Sequence, residues 1–305
     1  MSTAYHSPAH RHPAHQRRFP HQALHGALAL LCVIAVGIGA SVYFGTPAAE
    51  RSANPDAVGA PATVPTGSPR PTFDHAPFSP GPVSVRSQGF LSWAFLDRQT
   101  GRVTGSANVA APSDTMSMVK AWLVADYLRL AFARDRQPAA TRLRVLQAIL
   151  RDSDNSTTYQ LYAELGQEAS IRRMVALCDL TDSRPSGALW SNTVVSARDT
   201  VRIGLCIADG RAAGPRWTDW VLIQMRSVRG DGDFGLRTAL PPKVATTVAV
   251  KNGWILREGD GNWHISCLAV GQRWVVGVLA RYPAGLGLGY GKSLCRSVGA
   301  QLVGG

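Results

Sequence analysis

"TMSMVKAWLVADYL", residues 115–128, is an apolar run with helical spacing that opens on a serine and carries a lysine one turn later. Lysine is rare in this chain, where Lys120, Lys243, Lys251 and Lys292 are the only lysines among 32 Lys plus Arg. A lysine facing a core loses its hydration, so it needs a partner or a task. Ser117 and Lys120 are three apart on a helix and project from one face. A serine hydroxyl is a poor nucleophile near neutral pH, and an amine whose charged form is disfavoured by burial can act as its base. A second use of Lys120 stays open, the neutralisation of a buried acid such as Asp126.

On either side of this stretch the chain divides into strands and helices. "FLSWAFLD" (90–97) alternates as a strand, "RQTG" supplies a turn, and "RVTGSAN" (102–108) returns as its hairpin partner. Helical patterns follow over 117–134, 140–151, 157–165, 169–178, 196–208 and 216–227, the fifth opening with Ser196 and Asp199 in a capping-box arrangement. Strands resume with "TTVAVKNGWIL" (246–256), "NWHISCLAV" (262–270) and "RWVVGVLARY" (273–282), separated by the hairpin turns "REGDG" and "GQ". "GYGKSLCRSVGAQLV" (289–303) closes as a helix. Two strands at the front and three at the back predict an α/β (α+β) architecture, in which both chain ends build one antiparallel five-stranded sheet around an inserted helical subdomain. "GLGLGYG" (285–291) follows "RYPA" instead of opening a βαβ unit, so it reads as a loop and not a nucleotide site.

Upstream of the domain, residues 1–25 hold Arg11, Arg17, Arg18 and six of the eight histidines with no acidic residue, the composition of a solvated basic tail. Residues 26–45, "GALALLCVIAVGIGASVYFG", carry no charge and are long enough to cross a bilayer once as a helix. The preceding arginines orient this segment with the amino terminus inside and the main domain extracytoplasmic. It is expected to remain as a single N-terminal membrane anchor, with cleavage after "TPAAE" and secretion as the alternative. Cys32 follows two leucines early in the apolar run, which does not suit lipidation. Residues 46–88, rich in Pro, Ala, Ser and Gly, read as a linker, leaving 89–305 as one folded domain.

From residue 82 on, 27 Lys plus Arg face 17 Asp plus Glu. Outside a membrane the polyanions available to such a surface are wall polymers and lipid head groups, so no nucleic-acid partner is expected. The chain is read as a monomer. No His, Cys and acidic residues share metal-ligand spacing, so neither metal nor other cofactor is expected. Cys178, Cys206, Cys267 and Cys295 lie in a domain whose compartment permits pairing, in any of three connectivities. Cys178 with Cys206 is preferred, since each ends a helical segment beside one irregular loop; Cys267 of a strand would then pair with Cys295 of the last helix.

Two more stretches carry chemistry. In "RDSDNSTTY" (151–159), Ser153, Asp154 and Asn155 form a turn of small polar residues between two helical runs. In "AVKNGWIL" (249–256), Lys251 interrupts an apolar strand, and Gly253 permits close approach of another backbone. S-x-x-K on a helix, S-D-N between helices and K-x-G on a late strand are each common alone, but specific together in this order.

At these residues the chain resembles the penicillin-recognising serine enzymes, the superfamily of class A β-lactamases and D,D-peptidases, over residues 89–305. The likeness is greatest to β-lactamase-like serine hydrolases of actinobacteria, which carry similar "SDN", "KNGW" and "WH" strings. The resemblance implies a β-lactamase/transpeptidase-like fold and a ligand that is a cell-wall peptide or a β-lactam. It makes Ser117 the acylated nucleophile, Lys120 its base, Ser153 a proton relay to the leaving group, Asn155 a binder of the substrate amide and Lys251 the attractor of its carboxylate. Asn252 would donate to that carboxylate, and the backbone N–H groups of Ser117 and Trp254 would form the oxyanion hole.

Three features depart from that pattern. Asn252 stands where Thr or Ser is usual, and the interval from Ser117 to Ser153 is short. The loop that in class A β-lactamases supplies a glutamate for deacylation, here "DLTDSRPSGALWSNTVVSARD" (179–199), contains no glutamate. Asp199 reads as a helix-start residue, and Asp179 and Asp182 as partners of Arg184. Two functions follow as expectations: a serine acyl-enzyme hydrolase or transferase with slow deacylation, or a catalytically weak or inactive, membrane-tethered wall-binding or sensing protein on the same fold. A Ser-His-Asp triad would have to recruit His264 from a strand, where it reads instead as satisfying a local hydrogen bond.

Overall fold

The computed structural model describes residues 81–303. The basic tail, the apolar segment 26–45 with Cys32, and the linker up to residue 80 lie outside the described residues. Among the described residues no helix is long and apolar enough to cross a membrane.

The sheet is built from both ends of the chain. Strands β1 (Phe90–Asp97), β2 (Val103–Gly105), β5 (Ala249–Arg257), β6 (Asn262–Val270) and β7 (Trp274–Pro283) are arranged in the order β2-β1-β7-β6-β5. All pairings are antiparallel. β1 lies against β7 from Phe90↔Arg281 to Asp97↔Trp274, which joins the first strand of the domain to the last. β2 is shorter than "RVTGSAN" suggests because the chain turns at Gly105, where a Cβ would lie 2.6 Å from Trp93 O, and Ser106 N then donates back to Trp93 O. A second sheet pairs β3 (Ser113–Asp114) with β4 (Val194–Val195), each too short to show alternation in the sequence.

Between β3 and β5 the chain forms the helical lobe: α1 (Lys120–Ala133), α2 (Ala140–Arg151), α3 (Ser156–Glu164), α4 (Glu168–Leu177), α5 (Ala197–Ala208) and α6 (Thr218–Arg226), followed by the short α7 (Pro242–Ala245). Helix α8 (Gly287–Val303) closes the fold. Ser196 caps α5 by accepting from Asp199 N at 3.0 Å. α8 begins inside the stretch read from sequence as a loop. Its Gly291 is a packing glycine, since a Cβ there would lie 2.3 Å from Tyr282 Oη and 2.5 Å from Ile265.

Period-two alternation sorts the strands between two cores. Leu268, Val270, Val275 and Leu279 join Trp122, Leu123 and Val201 of the helical lobe. Ile265, Cys267, Val276, Val278 and Tyr282 face Leu294, Val298 and Leu302 of α8. Residues just before β1 dock on α8, with Ser84 N donating to Gln301 Oε1 and Gln88 N to Tyr290 Oη. Disulfides join Cys178 to Cys206, tying α4 to α5, and Cys267 to Cys295, tying β6 to α8.

Candidate active site

The same alternation positions the site. On β5, Lys251 and Gly253 face the helical lobe while Asn252 and Trp254 face the other way, and β5 lies at one edge of the sheet. The turn bearing Ser117 packs against Gly253, where a Cβ would lie 2.6 Å from both Ser117 N and Thr115 O. No other residue fits there, because both obstacles are backbone.

The turn is held from several directions. Thr115 N donates to Thr193 O, Thr115 Oγ1 to Trp190 O, and Ser266 Oγ of β6 to Thr115 O at 2.6 Å. Met116 then takes a left-handed φ of +46°, which side chains disfavour, and Ser117 follows in a 3₁₀ turn that leads into α1. Ser117 lines a cleft of about 400 Å³ together with Ser153, Asn155, Trp254, Asp152, Arg229 and the 230–232 turn.

Lys120 and Lys251 lie behind this cleft, both fully buried. Lys120 Nζ donates to Ser153 O at 2.5 Å and Asn155 Oδ1 at 2.7 Å, and stands 3.4 Å from Ser153 Oγ; its hydrogen bonds go to the second motif and not to Ser117 Oγ. Lys251 Nζ donates to Ser153 Oγ at 2.9 Å. Ser153, itself left-handed at φ +58°, thus holds its hydroxyl between two amines. An ammonium has no acceptor, so a proton can pass from the hydroxyl to an amine only if that amine is neutral.

Burial makes that neutrality accessible. It pushes Lys120 down to about 8, opposed only by the Asp154 carboxylate, which is engaged with Thr157 N and Oγ1 at the start of α3. Burial, reinforced by the charge of Lys120, holds Lys251 well below the ordinary lysine value. Asp126, the alternative partner for Lys120, is bound elsewhere: Arg173, Arg129 and Ser170 Oγ surround it.

Two expectations change. Asn252 does not reach the cleft as a donor, because its Nδ2 is committed to Gly232 O at 3.0 Å and Phe234 O at 2.9 Å on the opposite face of β5. It anchors the 230–234 loop. Asp179 and Asp182 pair with Arg211 and Arg198 and not with Arg184, whose backbone bonds Val194. Asp199, buried, accepts from Asp182 N, Ser183 Oγ and Arg202 in addition to starting its helix. His264 has local partners, Asp114 and Asp260.

The loop residue that comes up against Lys120 is Trp190, its ring centroid 5.8 Å from Nζ and packed edge-on by Tyr159 and Tyr162. No carboxylate of the 179–199 loop is free to activate water there. Sequence reasoning missed Trp190, and also Arg229, Asp152 and Asp231 at the cleft mouth, where Arg229 bridges Asp152 across two chain segments. The visible signal was "RGDGDF" (229–234), a glycine-rich break between helix and strand.

No family model matches the chain. It is 28% identical over 202 residues to proteins named "Putative lipoprotein LppW" in Mycobacterium tuberculosis (strain ATCC 25618 / H37Rv) and Mycobacterium bovis, and the match covers 64% of this chain and 64% of the length of those relatives. Among solved structures, a β-lactamase from Burkholderia vietnamiensis superposes with a TM-score of 0.57 at 18% identity, covering 70% of this chain and 89% of that one. A β-lactamase from Sphaerobacter thermophilus superposes at 0.56 and 14% (70% and 90% covered), and PBP-A at 0.56 and 16% (72% and 90%). The chain therefore has the β-lactamase-like fold, shared with class A β-lactamases and PBP-A.

Proposed function

We propose that this protein is a serine acyl-enzyme hydrolase or transferase of the β-lactamase/D,D-peptidase type, acting outside the membrane on a cell-wall peptide or a β-lactam, and slow to deacylate. The observation that carries this reading is the Ser153 hydroxyl held between the buried amines of Lys120 and Lys251, beside the cleft that Ser117 lines. With Lys120 near 8, roughly one molecule in ten holds a neutral amine at pH 7. That amine takes the Ser117 proton as Oγ attacks the carbonyl and passes it to Ser153 Oγ, which gives its own proton to the leaving group, so both return to their starting states. Catalytic hydrogen bonds often form fully only with substrate bound, so the Ser117–Lys120 bond belongs to the complex. The N–H groups of Ser117 and Trp254, brought together by Gly253, receive the oxyanion.

A substrate carboxylate would meet Arg229 at the cleft mouth, because Lys251 is buried behind Ser153 and acts through it. The ester then persists, since Trp190 occupies the place beside Lys120 from which a loop carboxylate would activate water. The charge-free segment 26–45 and the lipoprotein name of the relatives both support a membrane-tethered domain facing outward. The absence of a deacylating base also fits a second reading, a wall-binding or sensing protein.

The test is the intact mass of residues 82–305 before and after incubation with a fluorescent penicillin. A stoichiometric, long-lived adduct on the parent and none on Ser117→Ala is expected. A folded parent that never forms an adduct overturns the acylation reading and leaves the sensing one.

A further inference from the structure

The residues immediately before Ser117 take their backbone bonds from the 190–195 segment, with Thr115 N donating to Thr193 O. β3 contains Ser113 and Asp114 alone and pairs with two residues of β4. Met116, between them and the serine, holds a left-handed φ that side chains disfavour. Side chains from the five-stranded sheet add to these bonds. β6 sends two residues of one face, Ser266 to Thr115 O and His264 to Asp114, so neighbouring residues of the turn are gripped by neighbouring positions of one strand.

The His264 contact has an unusual balance. Nδ1 lies 2.6 Å from Asp114 Oδ1 and Nε2 lies 2.8 Å from Asp260 Oδ2, so both ring nitrogens face carboxylates. Arg257 of β5 bonds the other oxygen of Asp114. Arg281 of β7 stands opposite His264 in register, its guanidinium over the Phe90 ring at 4.5 Å. A neutral imidazole has one N–H and can keep one of the two carboxylate bonds, whereas the imidazolium donates both. Asp114, Arg257, His264 and Arg281 line a shallow pocket of about 350 Å³, which gives solvent access to the cluster. None of the residues around this pocket lines the Ser117 cleft.

We propose that His264 is a positioning residue for Ser117: as an imidazolium it clamps Asp114, and through Asp114 the strained turn that presents the nucleophile. Burial works against the charge on His264, but the hydrogen bonds and charges of Asp114 and Asp260 together outweigh it and hold its pKa above the ordinary histidine value. The clamp is therefore complete below that raised pKa. As pH rises through it the ring has one N–H for two carboxylates, so Asp114 loses either its bond to His264 or the charge behind that bond.

The inference rests on the acylation reading for its kinetic test and stands apart from it in a second. The second-order rate of acylation by a fluorescent penicillin is measured against pH for the parent and for His264→Gln, which keeps a donor but does not titrate. The Lys120 dependence is common to both and cancels in their ratio. A parent advantage of roughly tenfold at low pH, the difference a charge-assisted bond makes, is expected to shrink to near unity above the His264 pKa. A ratio that is flat with pH overturns the proposal. The second measurement is NMR of the parent and of Asp114→Asn: the Thr115, Met116 and Ser117 amides of the parent should titrate with the His264 ring, and those of Asp114→Asn should not. Parent amides that stay still while the ring titrates also overturn it. If the parent is never acylated, or His264→Gln does not fold, the amide titration alone decides, so the two readings fail separately.

Discussion

Lys120 and Asp126 stand on the same helix, both fully buried, and the protein treats them in opposite ways. Asp126 accepts from two arginines and a serine hydroxyl, so its charge is compensated where it sits. Lys120 has a carbonyl, an amide oxygen and a hydroxyl as partners, with no carboxylate in ion-pair contact, and its pKa is dragged down to about 8. A fully paired buried charge joins elements, here α1 to α4; an under-compensated one gives up its proton easily. The difference separates a structural charge from a chemical one better than burial does, since burial is identical in the two.

The largest effect is expected at the chemical charge. Lys120→Met replaces the amine by an apolar chain of similar length, and acylation by the fluorescent penicillin should slow by about 10²–10⁴-fold, the usual worth of a general base. Chemical denaturation of the same variant should show unchanged or increased stability. Acylation at the parent rate would place Lys120 among structural residues. Asp126→Asn attacks the other end: it leaves Arg129 and Arg173 facing a neutral amide and should cost about 3 kcal/mol in denaturation, toward the low side for a broken buried pair because both arginines reach solvent. The acylation rate of the molecules that remain folded should not move.

A third effect is in the pH dependence of stability. Between about 8 and the ordinary lysine value of 10.5 the unfolded chain keeps the Lys120 proton and the folded one does not, so stability should rise with pH across that window. One group contributes at most about 1.4 kcal/mol per pH unit, and Lys251 acts in the same direction. Lys120→Met should lose its share of the slope while Asp126→Asn keeps it. Equal slopes in the parent and both variants would mean that the burial of the amine is not what displaces its proton.

Much of this arrangement was legible in the residues. Alternation placed β1, β6 and β7 within a residue of their ends, because a half-buried strand must repeat every second position. The glycine two places after Lys251 announced a close backbone approach, and the backbone that approaches is that of Ser117. What was not legible depended on which side of an element faces what. Asn252 looks interchangeable with Lys251 in a string, yet the pleat turns it to the opposite face, where it holds a loop. Trp190 carried no signal in the sequence, because an aromatic in an irregular loop becomes part of a site only when the loop folds over one.

The residues alone give the pieces of chemistry and their order: a serine and a lysine on one helical face, a small polar turn, and a lysine on a late, otherwise apolar strand. These are local facts, set by periodicity and turn preference. Only the tertiary structure decided that both lysines converge on Ser153, that Asp126 belongs to arginines and that His264 grips the residues ahead of Ser117. Charge and proton affinity depend on what stands within a few ångströms and on how much water is excluded, and those neighbours come from segments far apart in the chain.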